Sequence, residues 1–460
     1  MMFSFLIITT LLLGLLFYLY TFKEVNTINL RFLINLSLPI GIGISSVLFI
    51  VFNLFGLSTN LIVLIEIALV VFLFYILKTQ YKVCYKLEWL DLKKLFLNSI
   101  LLIITIIYFY ALLLDIIIFL AESIEFPHGL WDAWGDWNLG AKFIARDPYG
   151  WSKTFHQIIS TMFHMDYPLL QKGFIAQCWM VIGNETVWVP IAFCFIFTFC
   201  SIGLLSASVS YFTNKTNGLI AGLVMLCSPY FMTMGDSQYA DNTIGYFYLA
   251  TIILLTFARS GIKMKPAFLI AAGISAGLAG WTKNEGLLFI LLLFVSQLPL
   301  LFYKNYRQLF HELKYILFGM LPILILIGYF KVYIAPPNEI ISAQGIETLS
   351  KITDYSRHEI AIKWYYHEIS KFGDWILNPW WLFLLGILFN GLSIKQNRES
   401  IISNLALLLL MLLGCYFVFI IADLELEFYL HTTVHRLYFQ LFPSFIFLYF
   451  ISLNVKRDKA

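Results

Sequence analysis

Charge is the first thing this chain is short of. Of its 460 residues only 12% are Asp, Glu, Lys or Arg, about half the share of an ordinary soluble domain. With 60% hydrophobic residues and a mean hydropathy of +0.82, the chain cannot clothe a water-facing exterior and belongs in a bilayer. The formal net charge is only +3 and there is no polybasic arm, so nucleic acid has no footing as a partner. Cysteine is sparse and scattered. Of six residues, Cys194, Cys200, Cys227 and Cys415 lie inside apolar runs, which excludes a CxxC metal pair and a disulfide framework. No Gly-rich phosphate loop follows a strand pattern, so nothing favours a nucleotide donor. Internal repeats and low-complexity linkers are missing too, and with them any sign of a separate soluble domain.

What the chain does have is long apolar runs. A spanning helix takes about 20 apolar residues, because in lipid every backbone polar group must be bonded internally. Hydropathy gives spans near 3–20, 31–52, 59–77, 95–120, 187–212, 217–234, 242–258, 266–281, 285–303, 316–334, 379–394, 401–421 and 437–453. The fold class is therefore an all-α polytopic membrane protein of about thirteen transmembrane helices. The run Phe3–Tyr20 lacks a basic n-region and an Ala-x-Ala site, and reads as a retained helix rather than a signal peptide. Expected segments are 1–94 (about three helices and a basic loop), a core 95–334 with an outer loop 121–186, a second outer loop 335–378, and C-terminal helices 379–460.

Basic residues orient the spans. Lys78, Lys82, Lys86, Lys93 and Lys94 mark one loop as cytoplasmic. Arg259, Lys263 and Lys265 mark a second, and Lys304, Arg307 and Lys314 a third. Lys395 with Arg398, and the tail from Lys456 to Lys459, mark two more. All five fall on one side when the spans alternate, with the C-terminus cytoplasmic. The chemistry-bearing residues collect on the other side: Asp132, Asp136, Asp166, Asp241, Glu285 and His435. Glu66, Asp115 and Asp423 lie in or near spans, where acids usually face a bundle interior; Asp115 and Glu66 suit interhelical hydrogen bonding better than a proton relay, since no basic residue stands at similar depth.

The outer loop opens on Trp131-Asp-Ala-Trp-Gly-Asp-Trp137. On a helix the three tryptophans form one stripe at headgroup depth and the two aspartates sit together on another. That pattern fits a plain amphipathic anchor. A second polar group, His164-Met-Asp-Tyr-Pro-Leu-Leu170, comes later in the same loop, and two acidic clusters between spans point to a site at the membrane surface.

In order, Asp132, a helix through Arg146, Tyr149-Gly150-Trp151, Tyr167-Pro168-Leu169 and Trp179 resemble the first outer loop of a known family. It comprises the polyprenyl-phosphate-sugar-dependent glycosyltransferases of the GT-C fold, which include protein O-mannosyltransferases, the aminoarabinose transferase of lipid A and the RgtA/B/C/D-like group. Tyr239-Ala-Asp241, Trp281-Thr-Lys-Asn-Glu-Gly286 and His435-Arg-Leu437 extend the resemblance, which covers roughly 95–450. It implies a GT-C-like fold whose large outer loop contains amphipathic interfacial helices. It further implies a polyprenyl-phosphate-linked sugar as donor, a lipid, glycan or protein as acceptor, and membrane lipids as surroundings. Two features depart from the family: Asp166-Tyr167 stands where better-known members have a Lys, and three helices precede the span before the loop.

The resemblance makes Asp132 the general base for an acceptor hydroxyl, with Asp136 as rival, and implies a single, inverting transfer. Arg436 and then Lys283 are the expected phosphate partners, with Lys142, Arg146 and Lys172 behind them. Lys283 can equally pair with Glu285, and Asp241 can be a simple helix-start carboxylate. His164 and Asp166 are candidates for binding the acceptor or a divalent ion, and Tyr167 for binding substrate. No cofactor is expected. A divalent cation on His128, Asp132, Asp136 and His164 has no supporting ligand spacing. Abundant Ile, Phe, Lys and Asn point to a prokaryotic cell membrane with the site on its outer face. The rival functions are a transporter or flippase, against which stands the lack of an inverted repeat, and a non-catalytic scaffold.

Overall fold

A computed structural model describes residues 2–21, 30–80, 98–157, 164–261, 265–338, 346–371 and 379–455. The described residues are helices and turns, with a single β-bridge between Leu392 and Leu453. Helices α1 (Met2–Thr21), α2 (Leu30–Leu54), α3 (Thr59–Gln80) and α4 (Ser99–Glu125) precede the first outer loop. That loop carries α5 (Asn138–Arg146), α6 (Trp151–Gln157) and α7 (Leu170–Ile182). The core comprises α8 (Trp188–Phe212), α9 (Lys215–Leu226), α10 (Pro229–Asp236), α11 (Ala240–Ala258), α12 (Lys265–Thr282), α13 (Asn284–Val295) and α14 (Tyr306–Tyr333). Two polar helices, α15 (Ile346–Thr353) and α16 (Tyr355–Lys371), lead to α17 (Pro379–Asn390), α18 (Arg398–Ile421) and α19 (Leu426–Ser452).

Each expected span falls on a helix or a pair of helices. Among the described residues nine helices are long and apolar enough to cross a membrane, or ten if α9 and α10 form one bent span. The expected span 217–234 is not one rod: its two halves meet at 67°. Ser228 stands extended there and accepts from the Phe231 N–H, and Pro229 opens α10. Proline has no N–H for the preceding helix and suits a first helical turn.

Helix α11 is the hub, with every residue of its apolar window buried. By contrast α3 and α4 bury only 17% of theirs and turn Ile, Leu and Phe outward, as lipid-facing helices do. Lipid gives helices no hydrophobic reason to associate, so close contact comes from small residues. The crossing of α12 and α14 is of that kind. A Cβ on Gly273 would sit 2.0 Å from the Ile316 carbonyl oxygen, and one on Gly319 2.1 Å from that of Ile270.

The two ends of the bundle carry different chemistry. At one end Arg259 donates to Gln297, Ser403 and Glu312, and Glu312 also takes Lys265 at 2.7 Å and Lys304 at 2.6 Å. Arg398 lies over the ring of Tyr303, the residue before Lys304. The basic segments around 259, 265, 304 and 398 thus share one end, as the span alternation requires. The lysines at 82, 86, 93, 94 and 263 and the tail 456–459 lie outside the described residues. Asp241 opens α11 and Arg259 caps its far end, about 27 Å away at 1.5 Å per residue.

The three N-terminal helices are not peripheral additions. Ser46 of α2 donates to the Leu170 carbonyl at 2.8 Å, and Asn53 accepts from the Trp151 indole at 2.7 Å. Glu66 of α3 accepts from Ser45 at 2.7 Å and from Gln177 of α7 at 2.9 Å, interhelical bonding of the expected kind. They therefore hold the segment that carries His164, Asp166, Tyr167 and Lys172. Asp423, after α18, pairs with Lys351 of α15.

Candidate active site

Arg436 is the centre of the site. It projects from α19, with 14% of its side chain exposed, and is held from two sides. Its Nη1 meets Asp132 Oδ2 at 2.7 Å, while Nη2 and Nε reach Asp241 Oδ2 at 2.6 and 3.1 Å. The guanidinium also lies over the Tyr239 ring, 4.7 Å from its centroid.

Its two carboxylate partners differ in how firmly they are fixed. Asp241 is fully buried, and its other oxygen accepts from Lys283 at 3.1 Å and from Gln440 at 2.6 Å. Asp132, on the loop, keeps 28% of its side chain exposed. Asp241 is thus more than a helix-start carboxylate, although it does sit in the first turn of α11. Lys283 stands extended between α12 and α13 and binds Glu285 at 2.9 Å as well as Asp241. That break lets neighbours at i and i+2 meet, which they cannot do on one helix.

Asp136 and Asp132 have different ion-pair partners. The chain makes one π turn over Ala133–Trp137, in which the Asn138 N–H reaches back five residues to the Ala133 carbonyl. Such a turn winds more slowly than an α-helix and rotates the next residues onto another face. Asp136 is buried and pairs with Lys172 Nζ at 2.7 Å. Burial pushes its carboxyl above the usual range, against the opposing pull of the Lys172 ammonium. Lys172 also donates to the His164 carbonyl at 3.2 Å and lies over the Trp137 ring at 5.1 Å.

The same turn corrects the expected tryptophan stripe. Trp131 and Trp134 are exposed and meet edge to face at 4.6 Å, as an interfacial pair would. Trp137 is buried and stacks on Tyr167, with ring planes 10° apart. Tyr167 in turn lies beneath Lys283, 5.7 Å from Nζ. Burial raises its phenol well above the ordinary tyrosine value.

Asp166 belongs to a neighbouring group. Its Oδ2 accepts from Asn284 at 2.7 Å and Asn338 at 2.8 Å, and Lys331 bonds its carbonyl and the Asn284 amide oxygen. Residues 283–285 link the two groups, since Lys283 faces Asp241 and Asn284 faces Asp166. Lys142 falls elsewhere: it acts electrostatically on Glu185, which Arg146 grips at 2.6 and 2.7 Å and holds below the usual carboxyl range. Among the described residues no three His, Cys, Asp or Glu side chains are placed to hold a metal ion together.

Sequence reasoning missed Tyr239, Gln440, Asn284, Lys331 and Asn338 as members of these groups. Only Tyr239 and Asn284 stand within the motifs that the sequence singles out; Gln440 and Lys331 read as ordinary residues of spans.

Residues 166–330 match the family model described as dolichyl-phosphate-mannose-protein mannosyltransferase. No curated protein and no solved structure matches the chain. The matched stretch carries Asp166, Lys172, Asp241, Lys283 and Glu285, while Asp132 and Arg436 lie on either side of it. Over residues 166–330, roughly a third of its length, this multi-pass membrane protein with nine or more membrane-length helices among its described residues is thus similar to the dolichyl-phosphate-mannose-protein mannosyltransferases, a family of membrane glycosyltransferases.

Proposed function

We propose that the protein moves a sugar from a polyprenyl-phosphate donor to an acceptor hydroxyl on the outer face of a cell membrane, with Asp132 as general base. The observation that carries this reading is Arg436 bridged between a fixed carboxylate, Asp241, and a more exposed one, Asp132. Asp136, buried against Lys172, holds the loop in place instead of taking the proton.

The chemistry comes from charge. Asp132, Asp241 and Glu285 face Arg436 and Lys283, so three carboxylates surround two cations. A donor phosphate adds another negative charge and needs a cation that is not already neutralised. Asp132 takes the acceptor proton as the acceptor oxygen attacks the anomeric carbon, and the bond from that carbon to the phosphate oxygen breaks. Once protonated, Asp132 no longer neutralises Arg436. The guanidinium, held in place by Asp241, then meets the charge that gathers on the leaving phosphate, with Lys283 beside it. Preorganised cations aimed at developing charge are the strongest general source of such stabilisation, and a positioned base adds about 10²–10⁴-fold. A single displacement inverts the anomeric centre.

The test is mass spectrometry of polyprenyl-phosphate sugars in cells lacking the chain, complemented with wild type or with Asp132→Asn at matched protein levels. One lipid-linked sugar should accumulate and be cleared by wild type alone. An unchanged lipid pool overturns the proposal.

A further inference from the structure

The base loop and the arginine it faces come from distant parts of the chain, and one residue joins them. Gln238 is fully buried and, among the described residues, is the one non-glycine with a positive φ, +61°. Such a conformation is uncommon for a residue with a Cβ and persists where its surroundings enforce it. It falls immediately after the bent span, between Ser237 at the end of α10 and Tyr239 at the start of α11.

Each polar group of Gln238 that is engaged ties a different segment. Its Oε1 accepts from Asn138 Nδ2 at 2.8 Å, and its Nε2 donates to the Pro127 carbonyl at 3.1 Å. Its backbone carbonyl accepts from Gln171 of α7 at 2.9 Å. The first two contacts bracket residues 127–138, the stretch that contains Asp132. Within that stretch Leu130 donates its N–H to the Ser237 carbonyl at 3.1 Å. Gly129 makes this approach close enough: a Cβ there would lie 2.5 Å from the Ser237 oxygen and 2.9 Å from Gln238 Cβ, and its own φ is +72°.

We infer that Gln238 is a positioning residue for the transfer reaction: its left-handed turn aims Tyr239 and Asp241 at Arg436 while its side-chain amide pins the Asp132 loop to the opposite side of the same guanidinium. This rests on the reading of Asp132 and Arg436 as the reacting pair. The hydrogen bonds of Gln238 go to Asn138, Pro127 and Gln171, so it acts on Arg436 through the Asp132 loop and the start of α11.

The experiment tracks phenylglyoxal modification of individual arginines by peptide mass spectrometry, on the purified full chain in lipid nanodiscs. It needs no knowledge of the sugar. Arg436 reacts slowly in wild type because Asp132 and Asp241 enclose it. Gln238→Gly keeps the backbone turn and deletes only the amide contacts. Gly129→Ala acts from the loop side. Each should raise the rate at Arg436 by about fivefold or more, the population shift expected for one net hydrogen bond. Arg259, buried at the other end of the bundle, reports global loosening and should stay unreactive. An unchanged Arg436 rate in both variants, or a rise shared equally with Arg259, overturns the inference. If neither donor accumulation nor transfer is found but Arg436 still responds in this way, the transfer reading fails and the clamp stands.

Discussion

Replacing Asp132 with Asn separates two properties that a catalytic aspartate usually confounds. In the free protein Asp132 is the counter-ion of Arg436 Nη1 at 2.7 Å, so a donor or product phosphate must displace it to reach the guanidinium. The amide keeps the shape and removes the charge. Charge centres about 4 Å apart attract by ~4 kcal/mol at an effective dielectric of ~20. Asp132 keeps 28% of its side chain in contact with solvent, which cancels much of that. The net cost of displacing it lies between the ~1 kcal/mol of an exposed pair and the ~3 kcal/mol of a buried one. A value of ~1.4 kcal/mol corresponds to tenfold in Kd.

Asp132→Asn should therefore bind polyprenyl phosphate about tenfold more tightly while transfer falls by about 10²–10⁴-fold. The assay is titration of polyprenyl phosphate into the protein in nanodiscs, read by tryptophan fluorescence, beside transfer measured on the same preparations. The exposed Trp131–Trp134 pair lies immediately beside Asp132 and reports on it. Weaker or equal binding in the variant refutes the exchange of partners at Arg436. Retained transfer refutes Asp132 as the base. Tighter binding with lost transfer is the result that a merely structural aspartate cannot give.

Arg436→Gln strips the buried Asp241 of one of its two cations and should lower stability by ~3–5 kcal/mol, the scale for a broken buried pair, seen as a lower Tm together with lost phosphate binding. Lys172→Met leaves Asp136 buried and unpaired and should cost a similar ~3–5 kcal/mol, largely restored by adding Asp136→Asn. Because burial raises the Asp136 carboxyl above its unfolded value, the folded state holds that proton more tightly. Its contribution to stability is present at low pH and is lost as pH rises from the ordinary Asp range through the raised folded value. Asp136→Asn should flatten that slope in Tm against pH. Arg259→Ala should lower Tm yet leave transfer per folded molecule unchanged, since its network lies at the end of α11 remote from Asp241. If Arg436 and Lys283 supply the positive charge at the phosphate as proposed, chelation with EDTA should leave transfer intact.

The legible and the illegible parts of this fold divide along a physical line. Hydropathy is a property of neighbours along the chain, so the helical, membrane-spanning character was legible from the apolar runs, although the last run, read as 437–453, left Arg436 just outside the helix that in fact begins at Leu426. The break at Ser228-Pro229 was legible in principle, because a Ser followed by Pro is a helix-start signal, but it was overridden by the apolar run around it. Partnerships between helices were not legible. Asp136 reads as the companion of Asp132 because they stand four apart, yet its ion-pair partner is Lys172, 36 residues away. Arg436 and Asp241 are separated by 195 residues, and no local pattern specifies that α19 and α11 present them at one depth. The sidedness argument came closest, since it required both to lie at the end opposite the basic loops. In a bilayer that constraint is strong: ionisable side chains in spans are costly unless paired or near water, so acids and bases confined to one end of a bundle have few partners to choose from. Knowing the end narrows the partners, and the rotation of each helix, which packing sets, selects among them.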